Sequence, residues 1–98
     1  NSHNERISKR VWLANHELGN ITQLAQSVFP PGEKVMKHSH PDMGEVFVVQ
    51  SGRGLITIDG ITHDIRPGTC AVVEPGENHE LENIDEEDLV LIHFGIRI

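Results

Sequence analysis

The sequence predicts an all-β domain of antiparallel strands, and three observations support this fold class. Short runs rich in valine, isoleucine, leucine and threonine recur along the chain, as is typical of strands. Glycine and proline separate these runs at intervals that suit the turns of a barrel or sandwich. Helical patterns are scarce, and we expect only a short turn over residues 5–10.

Nine strands are expected, each a run of apolar and β-branched residues bounded by turn residues. They cover residues 10–14, 21–29, 34–40, 45–50, 54–58, 61–65, 69–74, 78–83 and 89–97. The turns between them are, in chain order, Pro30-Pro31-Gly32, Pro41 to Gly44, Gly52 to Gly54, Asp59-Gly60, Pro67-Gly68 and Pro75-Gly76. The acidic run at residues 85–88 is interpreted as a solvated turn before the last strand.

The Asp59-Gly60 turn fixes the register of one hairpin. Both central positions of a type I′ turn need positive φ, which this pair tolerates. Ile58 then lies opposite Ile61, and Ile56 lies opposite His63. Because cross-strand partners share a face, we expect a core face of Ile56, Ile58, Ile61, His63 and Ile65. The opposite face, with Leu55, Thr57, Thr62 and Asp64, is expected to be wet.

Length and composition narrow the possible partners and location. The 98 residues suffice for a single domain. The 15 acidic and 8 basic side chains give a formal charge of −7, which argues against nucleic acid and anionic membranes. No apolar run reaches the roughly 20 residues of a membrane-spanning helix. A single cysteine, Cys70, cannot form an internal disulfide, so we expect a cytoplasmic protein.

A candidate metal site begins with His38 and His40. Residues two apart on a strand point to one side, with Cα atoms roughly 6.5 Å apart, so both imidazoles can reach one ion. Pro41 and Gly44 then turn the chain. If the following strand folds back antiparallel, Glu45 lies beside the histidine pair. Two imidazoles and one carboxylate form the facial triad of non-haem iron sites.

His79 is the fourth candidate ligand, because the Pro75-Gly76 turn delivers it at the start of another strand. A shell of three histidines and one carboxylate would leave two open positions on a six-coordinate ion and nearly close a tetrahedral zinc site. Scattered surface histidines are the alternative explanation. The combination of a His-x-His pair, a glutamate after a proline turn and a later histidine favours the metal site.

Two motifs in this stretch resemble those of the cupin family. Gly32-x5-His38-x-His40-x4-Glu45-x6-Gly52 matches the first cupin motif at every fixed position. Gly68-x5-Glu74-x-Gly76-x2-His79-x3-Asn83 matches the second, except that Glu74 stands where proline is usual and Pro75 follows it. Over residues 20–95 the chain therefore resembles small single-domain cupins.

The resemblance implies an antiparallel jelly-roll β-barrel with one divalent transition metal inside it. The residues that match the family's ligands are His38, His40, Glu45 and His79. Iron, manganese, nickel, zinc and copper all occur in the family. The resemblance also implies a homodimer, with residues 1–19 as an N-terminal extension or dimer-contact segment and Trp12 as an interface anchor.

Alternation predicts which residues surround the metal. Phe47 and Val49 are in phase with Glu45, and Met36 is in phase with His38, so we expect all three to line the cavity. Plain core packing is the alternative for them. His93 interrupts an apolar strand and is either a proton-transfer group in the cavity or part of a subunit contact.

Other polar and sulfur-containing side chains are assigned no chemistry. His63 is expected to be a core or interface histidine, and Cys70 a buried small hydrophobe. His3 and His16 lie outside the motifs and are expected to be exposed to solvent.

Two functions follow from this reading. The first is a metal-dependent enzyme of dioxygenase, isomerase or decarboxylase type that acts on a small, anionic organic molecule. A metal with one carboxylate ligand keeps a positive charge, which favours such substrates. The alternative is a non-catalytic module that binds or senses a sugar or another small molecule, because a fold alone does not imply chemistry.

Overall fold

Two antiparallel sheets face each other and enclose the core. The computed structural model describes residues 6–15 and 17–98, and these contain no helix. The nine strands are β1 Ser8–Leu13, β2 Ile21–Phe29, β3 Lys34–His38, β4 Met43–Ser51, β5 Gly54–Ile58, β6 Ile61–Ile65, β7 Cys70–Val73, β8 His79–Asn83 and β9 Leu89–Arg97. None of the described residues belongs to a helix that is long and apolar enough to cross a membrane.

Strands that follow each other in the chain are divided between the two sheets. The five-stranded sheet has the order β1-β2-β9-β4-β7, and the four-stranded sheet has the order β3-β8-β5-β6. From β2 onward the chain crosses from one sheet to the other at nearly every turn, which is the connectivity of a jelly roll. The expected all-β antiparallel fold is confirmed, with most strand ends within two residues of their predicted positions.

The core lies where the inner faces of the two sheets meet. Leu89 and Leu91 of β9 and Phe47 of β4 pack from one sheet, and Ile56 and Leu81 pack from the other. Their alternation with more exposed neighbours follows from the two-residue period of a strand. Burial of such side chains stabilises the fold by about 1.5–3 kcal/mol each.

The β5–β6 hairpin has the predicted register but not the predicted burial. Asp59 and Gly60 have φ of 47° and 83°, as a type I′ turn needs, and Ile58 pairs with Ile61. However, Ile61 is 64% exposed and His63 is exposed as well. The prediction that they belong to the core is wrong because β6 is the edge strand of its sheet, so the opposite sheet does not cover it.

Two further predictions needed correction at the sheet edges. Residues 8–13 form β1, an edge strand paired with β2, rather than the tail of a short turn over residues 5–10. Cys70 was expected to be buried but is exposed at the start of the edge strand β7. His3, His16 and the first residue of the expected turn lie outside the described residues.

Candidate metal centre

His38 and His79 are neighbours in the four-stranded sheet. His38 ends β3 and His79 begins β8, and the two residues are cross-strand partners with ring centroids 4.2 Å apart. Nδ1 of His38 lies 3.0 Å from the carbonyl oxygen of Met36. A carbonyl can only accept, so Nδ1 carries the proton and donates it. The lone pair of His38 Nε2 is therefore free for a metal.

Glu45 reaches the histidines from the other sheet. It lies on β4, between Val73 of β7 and Gly95 of β9. Its Oε1 is 3.2 Å from Nε2 of His79 and 3.8 Å from Nε2 of His40. The predicted convergence is therefore present, but the predicted route to it is wrong. β4 does not pair with β3, and the carboxylate meets the imidazoles across the barrel interior.

The polar atoms at this meeting point have no hydrogen-bond partners among the described residues. Oε1 of Glu45 and both ring nitrogens of His79 are buried and unsatisfied, because the 3.2 Å contact between them lacks hydrogen-bond geometry. Ligand atoms of His38, Glu45 and His79 all lie within 4.8 Å of one another. Buried unpaired polar groups are costly, and a cation bound by these three residues would satisfy them. The donor set therefore fits a divalent transition metal.

His40 lies at the rim of this cluster. Its ring is 5.4 Å from that of His38, and its side chain is 43% exposed. It comes after the end of β3, where its carbonyl oxygen accepts a hydrogen bond from the Gly76 amide. His40 is thus adjacent to the cluster of three but outside it, and its role as a fourth ligand stays a prediction.

The histidines also determine the charge state of Glu45. Burial raises the pKa of its carboxyl group, but the adjacent imidazole of His79, together with His40 and His38, outweighs burial. The net effect is a pKa below the ordinary value. Glu45 is therefore held as a carboxylate, the form that binds a cation.

The cluster opens into a cavity of about 290 Å³ between the sheets. Phe47 lines this cavity, as expected, with the apolar residues Ile7, Phe29, Val35, Leu81 and Leu91. Val49 is buried in the core but does not line the cavity. Met36 is 55% exposed and its predicted inward direction is wrong. A bulge between Val35 and His38 shifts the alternation by one residue, so Val35 takes the inward position.

His93 lies on the inner face of β9 and lines the cavity opposite His79. Its Nε2 is 2.7 Å from Oγ of Ser27, and its ring stacks on Phe47 with centroids 5.8 Å apart. Burial lowers the pKa of His93, and the nearby charge of Lys9 lowers it further. His93 is therefore favoured in its neutral form, which can accept a proton inside the cavity.

Seven residues that line this cavity were not predicted from the sequence, namely Ile7, Lys9, Ser27, Phe29, Val35, Leu81 and Leu91. Ser27 could have been found, because it alternates with the buried residues Ala25 and Phe29 on β2. Ile7 and Lys9 lie in the N-terminal segment, which had been assigned to an extension or a dimer contact, so no pattern pointed to them.

A second, more polar cavity of about 400 Å³ also borders Glu45. Lys9, Glu45 and His93 line both cavities. His40, Asp42 and Arg97 are among the residues found in the polar cavity alone. The candidate metal site is thus accessible from an apolar and a polar compartment.

Comparison with known proteins agrees with this geometry. Residues 25–95 match the profile of the cupin domain. An oxalate-binding protein of Thermotoga maritima is 31% identical over 78 residues, which cover 79% of this chain and 64% of that protein. An uncharacterised protein of Methanocaldococcus jannaschii is 30% identical over 69 residues, which cover 70% of this chain and 55% of that protein. The chain therefore spans only part of the length of these relatives.

Solved structures share the fold at lower sequence identity. A Thermotoga maritima protein described as a predicted oxalate decarboxylase has a TM-score of 0.88 and 24% identity, with 94% of this chain and 81% of that chain covered. The Cnp3 domain of Schizosaccharomyces pombe has a TM-score of 0.87 and 12% identity, with 98% and 68% covered. At these identities the likeness establishes the fold alone.

Proposed function

This chain belongs to the cupin family, and from that premise we propose that it binds one divalent transition metal and presents it to a small carboxylate ligand. The proposed metal ligands are His38, Glu45 and His79, with His40 completing the set from the rim. One observation carries the proposal. Three groups with metal-binding atoms meet within 4.8 Å, and the buried atoms of two of them have no hydrogen-bond partner in the described chain.

The family relationship and the charge of the site support a carboxylate ligand. One divalent ion and the carboxylate of Glu45 give a net charge of about +1, which favours an anion at the open coordination positions. The relative from Thermotoga maritima is named for oxalate binding. The chain itself has a high net negative charge, so attraction of an anion has to come from the site rather than from the whole molecule.

We propose further that the bound ligand is converted, in a reaction of dioxygenase, isomerase or decarboxylase type. When bound, the metal would act as a Lewis acid that polarises the ligand. His93 would accept or donate a proton, and the hydroxyl of Ser27, 2.7 Å from its Nε2, orients its ring. The apolar side chains of Phe29, Phe47 and Leu91 keep bulk water from the reacting atoms.

Metal content and affinity test the proposal. The purified protein is expected to hold roughly one manganese, iron, zinc, nickel or copper ion per chain by elemental analysis. His79→Ala should lower the affinity for added Mn²⁺ or Zn²⁺ by at least about a hundredfold, because it removes a ligand buried in the cluster. His63→Ala removes an exposed histidine of the edge strand β6 and is the matched control. Equal affinity in both variants would refute the metal site.

A binding module without turnover is the second candidate, and one observation favours it. Apart from the three clustered donors, Lys9 and His93 are the only titratable residues among those described that line the apolar cavity. Few groups are thus available for acid–base steps. A panel of small carboxylates, tested in air with Fe²⁺ or Mn²⁺, separates the two candidates. Product or oxygen consumption that His93→Gln abolishes would establish the enzyme, and saturable binding without product would establish the module.

A further inference from the structure

We infer that Lys9 is a specificity-determining residue that selects ligands with two carboxylate groups over ligands with one. The predicted ligand class is therefore small dicarboxylates, with one carboxylate on the metal and the other on the Lys9 ammonium group. This inference rests on the proposed function, because the first carboxylate needs the metal.

The strand pairing directs Lys9 toward the site. Lys9 of β1 is the cross-strand partner of Ser27 on β2. Ser27 is buried and lines the cavity, and partners in an antiparallel pair share a face. The Lys9 side chain thus leaves the strand on the inner side, and it lines both the apolar and the polar cavity.

Lys9 is exposed and forms no ion pair with a carboxylate of the described residues. Its Nζ donates a hydrogen bond to the neutral amide oxygen of Gln23 at 3.0 Å. The carboxylates that form ion pairs with arginine or lysine in the described chain do so elsewhere, Glu33 with Arg6, Glu80 with Lys34 and Asp42 with Arg97. A cation at a cavity wall without an acidic partner is a ready site for an anionic group.

Lys9 is distinguished from the other cation of the polar cavity by this lack of an acidic partner. Arg97 also lines the polar cavity, but its guanidinium lies 3.4 Å from the carboxylate of Asp42. His93, between Lys9 and the metal donors, is favoured as a neutral group. With a metal bound, the positive charges that lack an acidic partner would therefore be the metal centre and Lys9.

The wall of the cavity that contains Lys9 and the metal donors is apolar and suits the hydrocarbon part of a ligand. Phe29, Phe47 and Leu91 form the wall of the cavity that also contains Lys9 and Glu45. A methylene chain between two carboxylates can lie against these side chains without burying a polar group. A ligand with a single carboxylate would leave the lysine without its anion.

Pairs of acids and half-amides test this inference with the manganese-loaded protein. Malonate, succinate and glutarate are each compared with malonamate, succinamate and glutaramate, which have the same shape and one charge fewer. By calorimetry, at least one dicarboxylate should bind the wild type about tenfold more tightly than its half-amide, as expected for a charge-assisted hydrogen bond. Lys9→Met should reduce this preference to about twofold or less, and Lys9→Arg should retain it.

The matched control is Arg10→Met, which removes one positive charge from the next residue of the same strand. Arg10 pairs with Gln26 and faces the outer side, so its loss should leave the preference unchanged. Chelation of both carboxylates by the metal would give a preference that survives in Lys9→Met, and this outcome would overturn the inference while the metal site stands. Failure of the wild type to bind Mn²⁺ would overturn the proposed function and the inference together.

Discussion

The two ends of β8 carry buried polar side chains of opposite character. Asn83 is 1% exposed and His79 is 2% exposed, and both point into the barrel. The amide of Asn83 donates to the carbonyl oxygens of Phe29 and Glu87, and its own oxygen accepts from the Asp85 amide. His79 has no hydrogen bond at either ring nitrogen.

The difference distinguishes a structural residue from a functional one within a single strand. Both residues occupy fixed positions of the same motif, so the sequence alone gives them equal weight. A fully satisfied buried polar group stabilises the fold, whereas an unsatisfied one costs free energy and is retained for another reason. Asn83 connects the acidic turn to the barrel, and His79 is the residue of this strand that we propose as a metal ligand.

The largest expected effect is on stability, with unequal results at the two ends. Asn83→Leu should lower the free energy of unfolding of the metal-free protein by about 4 kcal/mol, because buried carbonyl groups lose their donors. His79→Leu should lower it by no more than about 2 kcal/mol, because the leucine replaces an imidazole without hydrogen bonds, although Glu45 loses its neighbour. Urea denaturation measures both. A comparable loss of stability in the two variants would show that the two ends of β8 do not differ in this way.

Alanine substitutions of glycines near the two ends of β8 should also destabilise the protein to different extents. Gly52 and Gly76 have φ of 84° and 85°. A Cβ on Gly52 would collide with the backbone of Asp88 and Leu89, whereas one on Gly76 would meet nothing within 4 Å. Thermal denaturation should show a loss of about 3 kcal/mol for Gly52→Ala and about 1 kcal/mol for Gly76→Ala. Equal losses would show that the backbone around Gly52 relaxes as easily as the backbone around Gly76.

Stabilisation by added metal should also distinguish Asn83 from His79. At a concentration one hundred times its dissociation constant, Mn²⁺ or Zn²⁺ should stabilise the folded wild type by about 2.7 kcal/mol, seen as a higher melting temperature. Asn83→Ala should keep this increment on its lower baseline, since the metal donors are intact. His79→Leu should lose it. An unchanged increment in His79→Leu would place the ion elsewhere.

The smallest expected effect is on the pH dependence of stability, to which His93 contributes. Burial lowers the pKa of His93 in the folded state, so the unfolded chain takes up a proton first as the pH falls below the ordinary value of 6.5. The stability contributed by the neutral ring is complete above that pH and is lost below it. Between pH 7.5 and 5.5, metal-free wild type should lose more stability than His93→Gln. Parallel pH profiles would contradict this.

Local chemistry in the sequence was sufficient to predict the strands and the convergence of His38, Glu45 and His79. The Asp59-Gly60 turn fixed a register because few pairs tolerate its dihedral angles. The histidines and Glu45 could be named because metal binding needs particular atoms at particular spacings. Features that depend on neighbouring strands could not be predicted. The bulge that turns Met36 outward, the edge position of His63 and the approach of Glu45 from the opposite sheet are set by tertiary pairing.

The contribution of β1 escaped prediction for a related reason. Its burial pattern is almost wholly exposed, so alternation gives no signal. Its importance comes from what it covers, since Ile7 and Lys9 reach the cavity only after β1 has paired with β2.

This arrangement places part of the cavity wall on an edge strand. Among the described strands, β1 pairs with β2 alone. An ion pair between Arg6 and Glu33, at 2.8 Å, lies just before the start of β1. Separating β1 from β2 breaks one ladder of backbone hydrogen bonds, whereas separating the two sheets would expose the hydrophobic core. Loss of the pairing between β1 and β2 would therefore remove Ile7 and Lys9 from the cavity wall while the two sheets stay packed against each other.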